Sequence, residues 1–195
     1  MRKSQQQLAK PATICSLILI SLTACTPSPA VDQQALAAEA GAISQRFVGT
    51  LLPTLQQALQ NGGPAAAIEV CSVQAPAIAS ALSEETGWQV GRVSLKARNR
   101  SLATPDSWES ARLEEFDQRQ RDGEAGPDIN TAAIVAGEFR YLQAQPVMPL
   151  CLNCHGSDLS PEVRNALQVH YPDDLATGYS SGEIRGAISL RKSLE

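Results

Sequence analysis

The 195-residue chain reads as an α+β domain: an antiparallel sheet flanked by helices, with a long amphipathic helix at its N-terminal end. Three observations predict this class. Apolar residues recur at helical intervals from Gln33 to Gln60; segments of strand-like alternation are few; and helices and strands do not alternate in the regular order that a parallel sheet requires.

In the first helix, Leu36, Ala40, Ile43, Phe47, Leu51, Leu55 and Leu59 share a face, with Pro53 as an expected kink. Asn61-Gly62-Gly63 is a helix stop, and Pro64 opens the next helical stretch at a first-turn position. There Ala67, Ile68, Cys71, Ala75 and Ile78 fall on one face. Pro76 cannot donate to the carbonyl of Ser72, so a kink or break is expected just past the cysteine. Ala75 to Thr86 continues helical and stops at Gly87. Trp88 to Arg98 then alternates: Gly91, Val93, Leu95 and Ala97 stand opposite Arg92, Ser94, Lys96 and Arg98, the mark of a half-buried strand. Thr104-Pro105 reads as a cap and first-turn proline for a helix to about Arg121. Thr131 to Leu142 and Glu183 to Leu190 read as two further strands, and Ser160-Pro161 opens a short helix reaching His170.

The N-terminus sets the compartment. Arg2, Lys3 and Lys10 precede an apolar core, Thr13 to Leu22, that is too short for a spanning helix of about 20 residues. It ends in Leu22-Thr23-Ala24-Cys25, which resembles the lipobox of bacterial lipoproteins. Residues 1–24 are therefore expected to be a signal peptide, Cys25 the lipidated residue, 25–31 a tether of linker composition, and 32–195 one domain facing an oxidising, periplasmic space. A mature chain of about 170 residues suits a single core. Without its signal it carries 13 basic against 20 acidic residues, a net charge of −7. That balance argues against nucleic acid and suits a basic protein partner.

Cys151-Leu152-Asn153-Cys154-His155 is a C-x-x-C-H run, which in an exported chain reads as an attachment site for one covalent c-type haem. Two thiols a helical turn apart can add to the two vinyl groups of one porphyrin edge, and the next residue, His155, is then held beneath the iron. A bare C-x-x-C would be far less specific, since it also suits zinc and dithiol chemistry. With an aromatic content of only 4%, the porphyrin itself is expected to fill much of the interior.

The five cysteines can then be counted. Cys15 leaves with the signal, Cys25 takes lipid, and Cys151 with Cys154 takes haem, so Cys71 is left without a disulfide partner. A six-coordinate iron needs a second axial ligand, for which only Cys71, His170 and Met148 have the chemistry. Met148 lies three residues before Cys151 and belongs on the His155 side. That leaves Cys71 or His170, and the alanine-rich face around Cys71, open to a flat macrocycle, favours the cysteine. His170 also reads as a helix-end cation, and Cys71 as an inert core thiol. Arg92, Lys96, Arg98 and Arg100 lie on or just beyond one strand face, either as a solvated face or as partners of haem propionates, with Arg98 the candidate contact. Asp173 and Asp174 read as turn formers rather than as a metal site.

Several blocks, in order, resemble a family of single-haem bacterial c-type cytochromes with a PAS-like fold, found both as free-standing periplasmic proteins and as sensor regions of histidine kinases. The blocks are Ala67 to Pro76, Gly91 to Asn99, Pro105 to Glu109, Cys151 to Gly156, Tyr171 to Tyr179 and Gly186 to Ser189. The resemblance covers most of the mature chain and implies axial ligation by His155 and Cys71. One departure is Arg100, where the family pattern has proline after Arg-Asn.

Cys/His ligation would give a low-potential centre. The expected function is electron transfer by a lipid-anchored cytochrome that is not an enzyme. The alternative is a haem-based redox or gas sensor for NO or CO, which would need a separate signalling partner because no such module follows in the chain. Of a different class are a structural zinc site, with Cys71, Cys151, Cys154 and one histidine as a Cys₃His set, and a dithiol oxidoreductase using Cys151 and Cys154.

Overall fold

A computed structural model of the chain describes residues 31–194; the signal, Cys25 and most of the tether lie outside them. The architecture is α+β, with one four-stranded antiparallel sheet and a long N-terminal helical element.

Helix α1 (Gln33–Thr86) starts where the Asp32 carboxylate accepts from Ala35 N at 3.0 Å and ends at left-handed Gly87 (φ 71°). It leaves helical geometry once, at Gly63 (φ 70°, ψ −169°), within the expected stop. There it turns back on itself. Arg46 meets Glu85 at 2.6 Å, and Ala40, Ile43 and Phe47 of one arm share a core with Ala75 and Leu82 of the other. Pro53 and Pro76 keep helical backbone angles, so the expected break past Cys71 does not form. Both arms bury an apolar face against the same sheet, which outweighs the lost hydrogen bond at each proline.

The strands are β1 (Gln89–Val93), β2 (Asn130–Val135), β3 (Glu138–Pro146) and β4 (Ile184–Ser193), ordered β1-β4-β3-β2. The expected strand from Trp88 to Arg98 stops at Val93: Leu95 is 43% exposed, and Ser94 leaves the ladder to donate to Arg185 O. The expected strand from Thr131 to Leu142 is instead a hairpin. Ala136 (φ 50°) and Gly137 (φ 82°) form its two-residue turn, a geometry in which alanine is uncommon, so the sequence carries no strong signal for it.

The sheet is covered on both faces. Phe139, Tyr141, Ile188 and Leu190 pack on α1, while Val93, Leu142, Ala144 and Ala187 pack on Leu113 and Phe116 of α3 (Ser107–Arg121). Between β1 and α3, the four-residue helix α2 (Arg100–Ala103) begins at Arg100, the first helical position, where proline is also accommodated. The departure from the family pattern thus leaves the turn intact. Helix α3 is capped by Asp106 in a reciprocal box with Glu109, two residues later than the Thr104-Pro105 signal suggests. Thr104 instead donates back to Arg100 O at 2.6 Å. Two short helices follow in the C-terminal half, α4 (Leu152–His155) and α5 (Pro161–His170), the latter capped by Ser160 as expected.

Glu109 pins α3 to the sheet. Its carboxylate is 1% exposed and meets Arg140 at 3.2 Å, Arg191 at 2.9 Å and the Ser189 hydroxyl at 2.7 Å. Removing one member of such a buried set leaves the others uncompensated, so Glu109→Ala should cost about 3–5 kcal/mol. A urea unfolding midpoint equal to that of the native chain would overturn this assignment.

Candidate cofactor cavity

A cavity of about 560 Å³ opens between the two arms of α1, the α1-facing side of the sheet and the segment leading into α4. Its volume is that of a site for a sizeable organic ligand, roughly 300–1,000 Å³. The chain brings Cys71, Met148, Cys151, Cys154, His155 and Arg98 to its walls, from positions up to 84 residues apart. Cys71 comes from the C-terminal arm of α1, beside buried Ala67 and Ile68. The three cysteines are free thiols, and burial pushes the Cys154 thiol up. Met148 is 40% exposed at the cavity rim, and His170 is exposed at the end of α5, outside the lining.

The C-x-x-C-H segment enters through a 3₁₀ turn (Pro149–Cys151) and becomes α4, which Gly156 closes. A side chain at Gly156 would put its Cβ 2.7 Å from Leu152 O. The His155 Nδ1 lies 2.7 Å from Ala176 O. A carbonyl only accepts, so Nδ1 carries the proton and Nε2 keeps its lone pair. Burial, with the cations of Arg185 and Arg98, pushes His155 down to about 2, so the imidazole is neutral. This is the protonation state a metal-ligating histidine requires, with a backbone carbonyl fixing the tautomer.

Arg98 secures this wall. It pairs with Asp174 at 3.1 Å, the two side chains being only 11% and 8% exposed, and donates to Ala176 O at 3.2 Å and to the carbonyl of Cys154. Asp174 also accepts from Ala176 N at 2.8 Å. One guanidinium thereby ties the cysteine motif to the loop whose carbonyl holds His155. Tyr179 stands edge-on to the His155 ring at 6.4 Å and donates its backbone N–H to His155 O. Asp173 and Asp174 occupy a turn, with Asp174 N donating to Tyr171 O at 3.0 Å.

Arg92 and Arg185 differ from Arg98. Both line the cavity, and among the described residues neither has an acidic partner. Among the described residues the Arg185 guanidinium makes one hydrogen bond, a donation to Gln145 Oε1 at 3.4 Å, and burial with the charge of Arg92 pushes it down to about 10. Burial lowers Arg92 as well, while its guanidinium sits 5.7 Å over the Phe47 ring. Both residues are part-buried, and cations drawn out of water without a counter-charge are costly, so this wall of the cavity suits a group that carries negative charge. Lys96 turns away to Thr177 O and the Tyr179 ring, and Arg100 is exposed.

Sequence reasoning missed Arg185 for a structural reason. Ile188 and Leu190 face α1, and strict alternation would send residue 185 to the α3 side with Ala187. Instead Ile184 joins Ala187 in the α3-side core, through an irregularity of the β3–β4 pairing at Ala144/Pro146 beside Gly186 (φ 155°). Only glycine fits there, since a Cβ would stand 2.3 Å from Val93 O. Tyr171 was also missed. It lines the cavity, and burial with the neighbouring Cys71 pushes its phenol up to about 12. Among the described residues no three His, Cys, Asp or Glu side chains are placed to hold a metal ion, so the Cys₃His zinc arrangement does not form.

Fold and site together define, over the described residues, an α+β unit with a cofactor-sized cavity whose walls carry a neutral imidazole, free thiols and two cations without acidic partners. The chain belongs to the Tll0287-like family, whose model matches residues 4–193. Among solved structures it is similar to the cyanobacterial haem-protein Tll0287, with a TM-score of 0.61 and 23% identity over 85% of this chain and 98% of that one. At that identity the likeness establishes the shared fold. No curated protein sequence matches the chain.

Asp174→Asn removes the charge opposite Arg98 without changing shape. It should destabilise the domain by about 3 kcal/mol, because the buried guanidinium loses its counter-ion. Chemical denaturation of the cofactor-free protein measures this, and an unchanged midpoint would show that the pair does not hold the wall.

Proposed function

We propose that this protein is a periplasmic, lipid-anchored c-type cytochrome. Its cavity would hold one haem, attached through Cys151 and Cys154 and ligated by His155 and Cys71, and the protein would transfer single electrons at low potential without catalysing a reaction of its own. The observation that carries this reading is the convergence of Cys71 and the C-x-x-C-H segment on one cavity that also holds two arginines without carboxylate partners. The residues present fit the group. A haem would bring two propionates to a cavity with two unpaired cations, two vinyl groups to the two thiols of the motif, and an iron to a neutral imidazole. The similar solved structure is that of a haem-protein, which supports the same choice.

Bound haem supplies a one-electron ferric/ferrous couple, which thiolate ligation would poise below the potential of His/Met ligation. The chain's own residues do the rest. His155 presents Nε2 because Ala176 holds Nδ1. Arg92 and Arg185 would neutralise the propionates, and Arg98 keeps most of its donors on the protein. The sheet order, with first and last strands adjacent and the second at the far edge, supports the PAS-like reading. The anchor would be Cys25, outside the described residues, and the partner a redox protein with a basic surface.

The test is an absorbance spectrum, oxidised and then dithionite-reduced, of protein exported in a host that matures c-type haem. A Soret band that stays with the denatured chain is expected; a colourless protein would sink the reading. Cys71→Ala should keep the covalent band and lose the low-spin ferric thiolate features. Arg185→Met gives an independent check, because it removes an uncompensated buried charge. It should stabilise the cofactor-free chain by about 1–2 kcal/mol and destabilise the loaded one; an equal effect on both would exclude Arg185 as a propionate partner.

A further inference from the structure

A second cavity, of about 270 Å³, lies behind Cys71 and is walled by Ala79, Val90 and Leu102 among others. Three residues line both cavities: Cys71, Arg92 and Tyr171. They form the partition between them, and Arg92 from β1 and Tyr171 from the end of α5 both lie within electrostatic reach of Cys71.

Tyr171 is placed there by its backbone. It caps α5 with φ −145° and ψ 69°, donates its N–H to Leu167 O at 2.7 Å, and accepts from Asp174 N at 3.0 Å. These bonds turn the ring inward against Ile68, Leu159, Val163 and Leu167, where the residue is only 7% exposed. Its hydroxyl is the exception to this order. Among the described residues the phenol has no hydrogen-bond partner, unlike those of Tyr141 and Tyr179, and it is not sealed in the core, since Tyr171 lines both cavities. Arg92 has a delocalised charge, and its guanidinium lies over the Phe47 ring of α1; Tyr171 offers one directional O–H donor.

We infer that Tyr171 donates a hydrogen bond to the sulfur of Cys71 when that sulfur is an iron ligand, and is the positioning residue that sets how strongly the thiolate donates to the metal. The inference rests on the haem reading above. The couple it acts on passes one electron between ferric and ferrous iron, with Cys71 a thiolate in both states and no proton taken up. Sulfur carries more negative charge in the ferrous state, so a donor favours that state and raises the potential.

The experiment is a spectroelectrochemical titration of the haem-loaded protein and three variants: Tyr171→Phe, Cys71→His, and the two combined. Tyr171→Phe keeps the ring packing and should shift the oxidised-to-reduced ratio about tenfold toward ferric at fixed potential, ~59 mV for one electron. It should also move the thiolate-to-iron absorption. In the Cys71→His background the same change should shift the ratio less than twofold. Equal shifts in both backgrounds, or none in the native one, would overturn the assignment. A measurement without any variant guards against misfolding: the iron–sulfur stretching frequency of the native protein should move on transfer to deuterated water, and a fixed frequency also overturns it. Native protein that contains haem but shows no thiolate absorption would instead overturn Cys71 ligation, and the Tyr171 role with it.

Discussion

The buried pair of Arg98 and Asp174 is the joint on which the motif-bearing wall hangs. The cysteine motif and the loop around Ala176 belong to segments with little regular structure of their own: a four-residue helix and an irregular turn. Nothing in local propensity would hold such segments to a fraction of an ångström. Arg98 does so by donating to Cys154 O and Ala176 O while facing Asp174, and Asp174 returns a bond from Ala176 N. The Ala176 carbonyl then fixes the His155 tautomer. A chain of hydrogen bonds thus runs from one guanidinium to one imidazole lone pair, and each step is made by a backbone group that cannot rotate away. Arg98 itself lies beyond the end of β1, but the motif segment leaves β3 directly, with Val147 N donating to Glu183 O at 2.9 Å, so the sheet is what this wall is tied to.

The opposite wall depends on a different constraint. Cys71 sits on the return arm of α1, and it faces the cavity only because Gly63 reverses the helix. The two arms are held by their shared contact with Phe139, Tyr141, Ile188 and Leu190, so the sheet sets the position of this wall as well. Both walls are therefore referenced to β-structure, although neither Cys71 nor His155 lies in a strand. That arrangement separates the group that supplies ligands from the group that supplies rigidity.

Much of this was legible in the sequence, and the failures have identifiable causes. The helix stop at Gly62-Gly63, the caps at Ser160 and Gly87, and the burial of Ala67 and Ile68 beside Cys71 follow from local chemistry that tertiary contacts do not oppose. The expectation failed where burial overrode a local rule or where the local signal was absent. Pro76 stays helical because its arm is packed; Ala136-Gly137 turns without the usual Asn-Gly or Asp-Gly sequence; Asp106 rather than Thr104 caps α3 because its box with Glu109 is completed by arginines from β3 and β4. In the cavity, the thiols and the imidazole were visible as a motif, while Arg185 and Tyr171 were not. Their placement depends on a strand irregularity and a helix-end dihedral, which leave no periodicity to read.

The electrostatics of the cavity give the site its direction. Among the described residues Arg92 and Arg185 line the cavity without acidic partners; burial lowers both, and the charge of Arg92 lowers Arg185 further. A fold does not retain two such cations for stability, because their desolvation opposes folding. Their presence is accounted for if the native state is completed by a bound anion, so that part of the binding free energy offsets a penalty already built into the protein. His155 reinforces the argument from the other side, since the same cations that disfavour its protonation keep the lone pair free for a metal. The site is thus complementary to a ligand that is anionic at its edge and Lewis-acidic at its centre. That combination of charges, more than the cavity's size, is what the haem proposal draws on.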